Sequence, residues 1–133
     1  MKRALRLEHV AFNVADPEAV AAWYVAHFGL RIARRNHDAA RTHFLATADG
    51  VVLLEFYNNP AAPIPPYAEK HYLELHLAFA SADPETDARR LIAAGATVAD
   101  SFKVIPCGDR MIMLRDPFGL CVQLVQRQVS LLP

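Results

Sequence analysis

Cysteine is scarce in this chain. Cys107 and Cys121 are the only two among 133 residues, and no CxxC spacing joins them. That argues against a disulfide framework or a zinc knuckle, and their strand-like surroundings predict reduced packing thiols. Net charge is missing as well: fourteen basic residues balance fourteen acidic ones, with no block of Lys or Arg. A phosphate backbone or an anionic membrane therefore finds no electrostatic handle, and nucleic acid is not expected as a partner. The longest apolar runs fall far short of the roughly 18 to 20 residues that a membrane span needs. The opening stretch, MKRALRLEHV, carries charges where a signal peptide has its apolar segment. The expectation is a soluble cytoplasmic protein. No glycine-rich phosphate cradle and no nucleophile elbow appear either.

What the chain does contain is a repetition. HVAFNVADPE begins at His9 and HLAFASADPE begins at His76, and seven of the ten letters agree. Alanine richness would not supply matched His, Phe, Asp, Pro and Glu, so a duplication is the natural cause. With 53% apolar residues, residues 1–133 make one domain with a real core, built from two modules too small to stand alone.

Both copies continue alike. The first strand of each alternates, placing His9, Ala11 and Asn13 on one face and Val10, Phe12 and Val14 on the other; His76, Ala78 and Ala80 repeat the first set. Asp16-Pro17 and Asp83-Pro84 are helix starts: the aspartate oxygen can accept from a free amide, and proline loses nothing at the first helical position. The first helix runs to about Phe28 and stops at Gly29, with Val20, Trp23, Tyr24, His27 and Phe28 at core spacing. The second carries Ala88, Leu91 and Ile92 and stops at Gly95. Three strands follow each helix: 30–36, 41–47 and 51–57, then 97–105, 110–115 and 120–126, with turn signals at Asp49-Gly50, Cys107-Gly108-Asp109 and Asp116-Pro117-Phe118-Gly119. The order is βαβββ, twice. Module one spans 5–58 and module two 71–128; the segment 59–70 between them holds Pro60, Pro63, Pro65 and Pro66, which rule out a helix and predict an extended linker.

Two equivalent modules packed about a local twofold would bring the faces bearing His9 and His76 toward a shared cleft. The last strand of each adds an oxygen-bearing side chain, Glu55 in VVLLEFY and Gln123 in LCVQLVQ. A carboxylate in so apolar a strand is costly unless paired, solvated or bound to a metal. His37, His43 and Arg34 fall on or beside the middle strands of module one and are expected to be solvated; Met111 and Met113, beside Arg110 in the matching strand of module two, are expected as core or apolar cleft wall. Tyr57, Asn58 and Tyr72 flank the cleft positions.

Three segments carry a family resemblance: LEHVAFNVADPEAVAAWYVAHFGLRI, HLAFASADPETDARRLIAAGA and GDRMIMLRDPFGLCVQLV. Together they span nearly the whole chain, which resembles the vicinal oxygen chelate superfamily of glyoxalase I, bleomycin-resistance proteins, fosfomycin-resistance enzymes, methylmalonyl-CoA epimerase and extradiol dioxygenases. The resemblance implies an α+β glyoxalase-like fold, two tandem βαβββ modules pairing into a curved mixed sheet around a cleft, and a homodimer. In the metal-binding members the ligands lie on the first and last strands of each module, which here places them at His9, Glu55, His76 and Gln123. It implies one divalent transition metal, Zn, Ni, Co, Mn or Fe(II), accepting adjacent oxygens of a small substrate in lyase or isomerase chemistry, with Glu55 as the catalytic base. Gln123 departs from the pattern, since glyoxalase I, the epimerase and the dioxygenases generally carry Glu there and an amide neither takes a proton nor offsets a cation. Glu74, two residues before His76, is a reserve donor. The alternatives are an Fe(II) ring-cleaving dioxygenase on His9, His76 and Glu55, or a metal-free protein that sequesters a drug.

Overall fold

Each helix begins where an aspartate meets a proline. In a computed structural model that describes residues 1–133, Asp16 caps helix α1 (Pro17–Phe28) by accepting from the Ala19 amide at 3.1 Å. Asp83 caps α2 (Pro84–Ala93) by accepting from the Thr86 amide at 3.2 Å and the Thr86 hydroxyl at 2.7 Å. These bonds satisfy amides that an α-helix leaves free at its start, and they hold the Asp83 carboxyl below its ordinary range. α1 ends at Gly29, whose φ of 67° is left-handed, a conformation glycine adopts without a Cβ penalty.

The chain divides into two units, Met1–Pro65 and Pro66–Pro133. In the first, β1 (His9–Asn13), β2 (Arg31–Arg35), β3 (His43–Ala46) and β4 (Leu53–Tyr57) form a sheet in the order β1-β4-β3-β2. In the second, β5 (Leu77–Ala80), β6 (Thr97–Val104), β7 (Arg110–Arg115) and β8 (Cys121–Gln126) repeat it as β5-β8-β7-β6. The outer pairs β1/β4 and β5/β8 are parallel and the rest antiparallel, so each unit is a four-stranded mixed sheet with one helix. The two βαβββ modules are thus present as expected. No helix is long and apolar enough to cross a membrane.

Each sheet buries one face and leaves the other open. In the first unit, Phe12 stacks on Phe56 at 5.5 Å between ring centroids, and Phe56 on Tyr24 of α1 at 5.6 Å. Tyr24, Phe56 and Leu45 have no exposed surface. The core of the second unit is aliphatic: Leu91 of α2 is buried with Ile112, Leu114, Val122 and Leu124 of β7 and β8. Burying each such side chain contributes about 1.5–3 kcal/mol.

Four expectations change. Ile92 is exposed rather than core; it sits next to Leu91, about 100° round the helix, outside the buried stripe. The Pro-rich segment is not extended to its end, because Tyr67–Glu69 make one turn of 3-10 helix. The Arg115 guanidinium donates to the Tyr67 carbonyl at 3.1 Å and to the Lys70 carbonyl at 2.6 Å, fastening that turn to β7. Gly119 allows it, since a Cβ there, at a φ of 98°, would stand 2.7 Å from the Ala68 nitrogen. Cys121 is a buried free thiol whose ionisation burial pushes up, as expected of a packing cysteine, whereas Cys107 is exposed.

The fourth change concerns His43, which is 1% exposed and not solvated. Its register partner is Phe56, so it points to the helix-covered face. Nδ1 lies 2.7 Å from the Arg41 carbonyl, and Nε2 accepts from Arg35 Nε at 3.1 Å. Because a carbonyl has no proton, Nδ1 donates, and both nitrogens of a neutral ring are satisfied. The Arg41 carbonyl belongs to a residue with a φ of 52°, costly for a side chain with a Cβ. The Arg41 guanidinium also donates to the Ala15 carbonyl at 3.2 Å, so His43 helps to seat a loop that holds the start of α1.

Candidate functional site

The open faces carry the chemistry. Across the first sheet, register aligns Ala11, Glu55, Phe44 and Arg34 in one row. Across the second it aligns Ala78, Gln123, Met113 and Asp100. Each row begins two residues after the repeated histidine, so alternation puts His9 and His76 on these same faces.

In the first unit, His9 Nε2 lies 3.9 Å from Glu55 Oε1, close enough for attraction and too far for a hydrogen bond. His9 Nδ1 is 2.9 Å from Glu8 Oε1, and the imidazole stands edge-on to the Phe44 ring, 5.6 Å between centroids at 84°. Glu55 is 17% exposed through its side chain, so solvent can reach its carboxylate. Asn13, on the same face, is occupied structurally: its amide donates to the carbonyls of Asn59 and Ala62, both at 3.1 Å, and its oxygen accepts from the Asn59 amide. Asn58 likewise donates to the Val14 carbonyl at 2.8 Å.

In the second unit, His76, Gln123, Met111, Met113, Tyr72 and Lys103 line a cavity of about 250 Å³. His76 sits immediately before β5, its Nδ1 2.9 Å from the Tyr72 carbonyl. The Gln123 amide donates only to the Met111 thioether, at 3.6 Å. Asp100 and Lys103 form an ion pair at the wall, and the hydrogen bond that the Lys103 ammonium donates to Asp100 pushes its pKa above the ordinary value. Asp100 and Lys103 escaped the sequence reading. Two register shifts in β6, between Val98 and Asp100 and between Asp100 and Lys103, break the alternation that would have assigned them to this face. Phe44 escaped too, although its place beside Glu55 follows once the register is known.

The donor set does not fit a resident metal within either unit. Each brings together two of the four expected donors, His9 with Glu55 and His76 with Gln123, where catalytic zinc sites take three protein ligands and structural ones four; Glu8 is bonded to His9 Nδ1 and Asp100 is paired with Lys103. No three His, Cys, Asp or Glu side chains of this chain gather in a set able to hold an ion. Glu74 does not extend the His76 pair along a strand: it lies in the turn before β5, and its carboxylate accepts from the His71 amide at 2.7 Å.

Comparisons with known proteins agree with this architecture. A glyoxalase family protein from Enterococcus faecalis is 28% identical, with a TM-score of 0.69 over 91% of this chain and 97% of that one. The protein SMU.1112c is 27% identical, with a TM-score of 0.72 over 93% of this chain and all of the other. TnmS3, an antibiotic binding protein from Streptomyces sp. CB03234, shares the fold at 22% identity, with a TM-score of 0.74 over 96% of this chain and all of that one. No curated protein sequence matches the chain. The family profile for the Glyoxalase/Bleomycin resistance protein/Dioxygenase superfamily matches residues 6–124, nearly the full length. The chain belongs to that superfamily.

Proposed function

We propose that this protein binds a small organic molecule on the open face of its sheet, without a resident metal, as a sequestering member of its family. The observation that carries the reading is the cavity of the second unit: thioether, aromatic and amide groups line it, and with the Asp100 carboxylate paired to Lys103 its free ion ligands are His76 and Gln123. Apolar walls with a few placed polar groups are the usual make-up of a ligand pocket. The antibiotic-binding role of TnmS3, on the same fold, supports it. We further propose a cytoplasmic homodimer, the second copy covering part of the open apolar surface.

The competing reading is a metal-dependent lyase, isomerase or Fe(II) dioxygenase with His9, Glu55, His76 and Gln123 as ligands and Glu55 as base. Elemental analysis of protein purified without added metal, beside a His9→Ala/His76→Ala variant, separates the two. The expected result is equal, substoichiometric metal in both after Zn, Ni, Mn or Fe(II) is offered, while a ligand from a small-molecule screen still protects the native chain against thermal unfolding. About one ion per chain in the native protein alone would overturn the sequestering reading in favour of the enzyme.

A further inference from the structure

The hydrogen-bond pattern of the second unit's cavity selects a ligand class, an inference that rests on the binding role just proposed. The Tyr72 carbonyl has no proton to give, so the 2.9 Å contact makes His76 Nδ1 the donor. In the neutral ring that leaves Nε2 with its lone pair, and no protein group donates to it. Gln123 is complementary: a thioether is a weak acceptor, so the amide bonded to Met111 at 3.6 Å keeps most of its capacity both to donate and to accept.

Size and charge narrow the class further. A volume of about 250 Å³ exceeds the roughly 150 Å³ that holds one benzene and falls below the roughly 300–1,000 Å³ of pockets for drug-sized molecules. Thioethers from Met111 and Met113 favour contact with aromatic rings. The only charges on the wall, Asp100 and Lys103, neutralise one another, so an ionic ligand would be desolvated without a free counter-charge.

We propose that this cavity takes a neutral, single-ring phenolic group, whose O–H donates to His76 Nε2 and whose oxygen accepts from the Gln123 amide. The ring lies against the methionines, and the remainder of a larger ligand extends out of the cavity.

The test titrates the intact ¹⁵N-labelled protein with 4-methylphenol and with its methyl ether, 4-methylanisole, which keeps the ring and loses the donor. The phenol is expected to shift the amides of Tyr72, Met111, Met113 and Gln123 and to bind about tenfold tighter than the ether, the worth of one net hydrogen bond. His76→Leu should remove that preference while leaving the ether's affinity within about twofold. Gln123→Leu removes the donor to an oxygen that phenol and ether share, so it should weaken both and leave the preference for the phenol in place. Equal affinities in the native protein, a preference that survives His76→Leu, or no shift of these amides by the phenol would each overturn the ligand class. If other neutral molecules still bind there, the sequestering role stands without it; one ion per chain in the metal experiment removes the role itself.

Discussion

The two modules share a backbone and diverge at matched positions, and that divergence separates what the fold requires from what a site requires. The caps, the parallel first and last strands and the open face recur in both. Yet where module one pairs Phe12, Phe56 and buried His43 across its covered face, module two pairs Phe79, Leu124 and Ile112. On the open face, Glu55, Phe44 and Arg34 of module one stand where module two has Gln123, Met113 and Asp100. One core is stacked rings and the other aliphatic packing; one open face carries a carboxylate and an arginine, the other an amide, a thioether and a neutralised ion pair. The scaffold constrains pattern and volume, and each module fills it with different chemistry.

The largest expected effect tests the cores. Phe56→Ala should cost about 3–5 kcal/mol, because it removes the ring on which both Phe12 and Tyr24 stack; Leu124→Ala, at the matching place, should cost about 2–5 kcal/mol. Urea denaturation measures both. A Phe56→Ala loss below that of Leu124→Ala would mean that the aromatic stack is no tighter than the aliphatic core.

Next come the glycine turns. Gly119→Ala in module two must hold a left-handed φ and also push a methyl into the 3-10 turn at Ala68, so a loss of at least about 2 kcal/mol is expected. Gly50→Ala in module one, at a φ of 71° with only the Arg31 side chain 3.8 Å away, meets the φ penalty alone, about 1 kcal/mol. Equal losses in thermal unfolding would show that the 3-10 turn yields and does not brace β7.

Much of this architecture could be read from local sequence. Asp-Pro followed by an apolar periodicity marks a helix start through bonds that span three residues, and alternation marks strands that follow one another in the expected βαβββ order. What escaped depends on partners distant in the chain or on broken alternation. His43 looks like a solvated strand residue until Arg35 and the Arg41 carbonyl close on its ring. The linker's 3-10 turn depends on Arg115, 48 residues beyond Tyr67. Of the four proposed donors, the sequence placed His9, Glu55, His76 and Gln123 on open faces; the cavity around the latter two also needed Lys103, which the irregular β6 concealed.

His43→Ile writes module two's residue class into module one. It fills the site with an apolar side chain but leaves the Arg41 carbonyl without its donor and the Arg35 guanidinium without its acceptor. The expected loss is about 1–3 kcal/mol, read by denaturation, with sharper line broadening at Ala40 and Arg41 than elsewhere. A neutral or stabilised variant would show that the imidazole is interchangeable with the aliphatic packing of its counterpart, and that the strained Arg41 loop is held without it.

The smallest effect distinguishes how each module secures the end of its last strand. Beyond β4, the Asn58 amide donates to the Ala40 carbonyl at 2.8 Å, a bond between groups that do not titrate. Beyond β8, the Gln128 amide donates to Asp109 Oδ1 at 2.8 Å and Arg127 donates to Oδ2 at 3.0 Å. The Gln128 amide first, and Arg127 second, hold the Asp109 carboxyl below its ordinary value of 3.8. Folding therefore favours the ionised form: the contribution is complete above the ordinary value and is lost as pH falls through the lower, folded one. The Gln128 amide resonance should titrate with a midpoint below 3.8 while that of Asn58 stays fixed. If Gln128 titrates at or above that value, the carboxylate clamp is absent in solution; if Asn58 moves with it, acid loosens both modules together and the two strand ends are not secured differently after all.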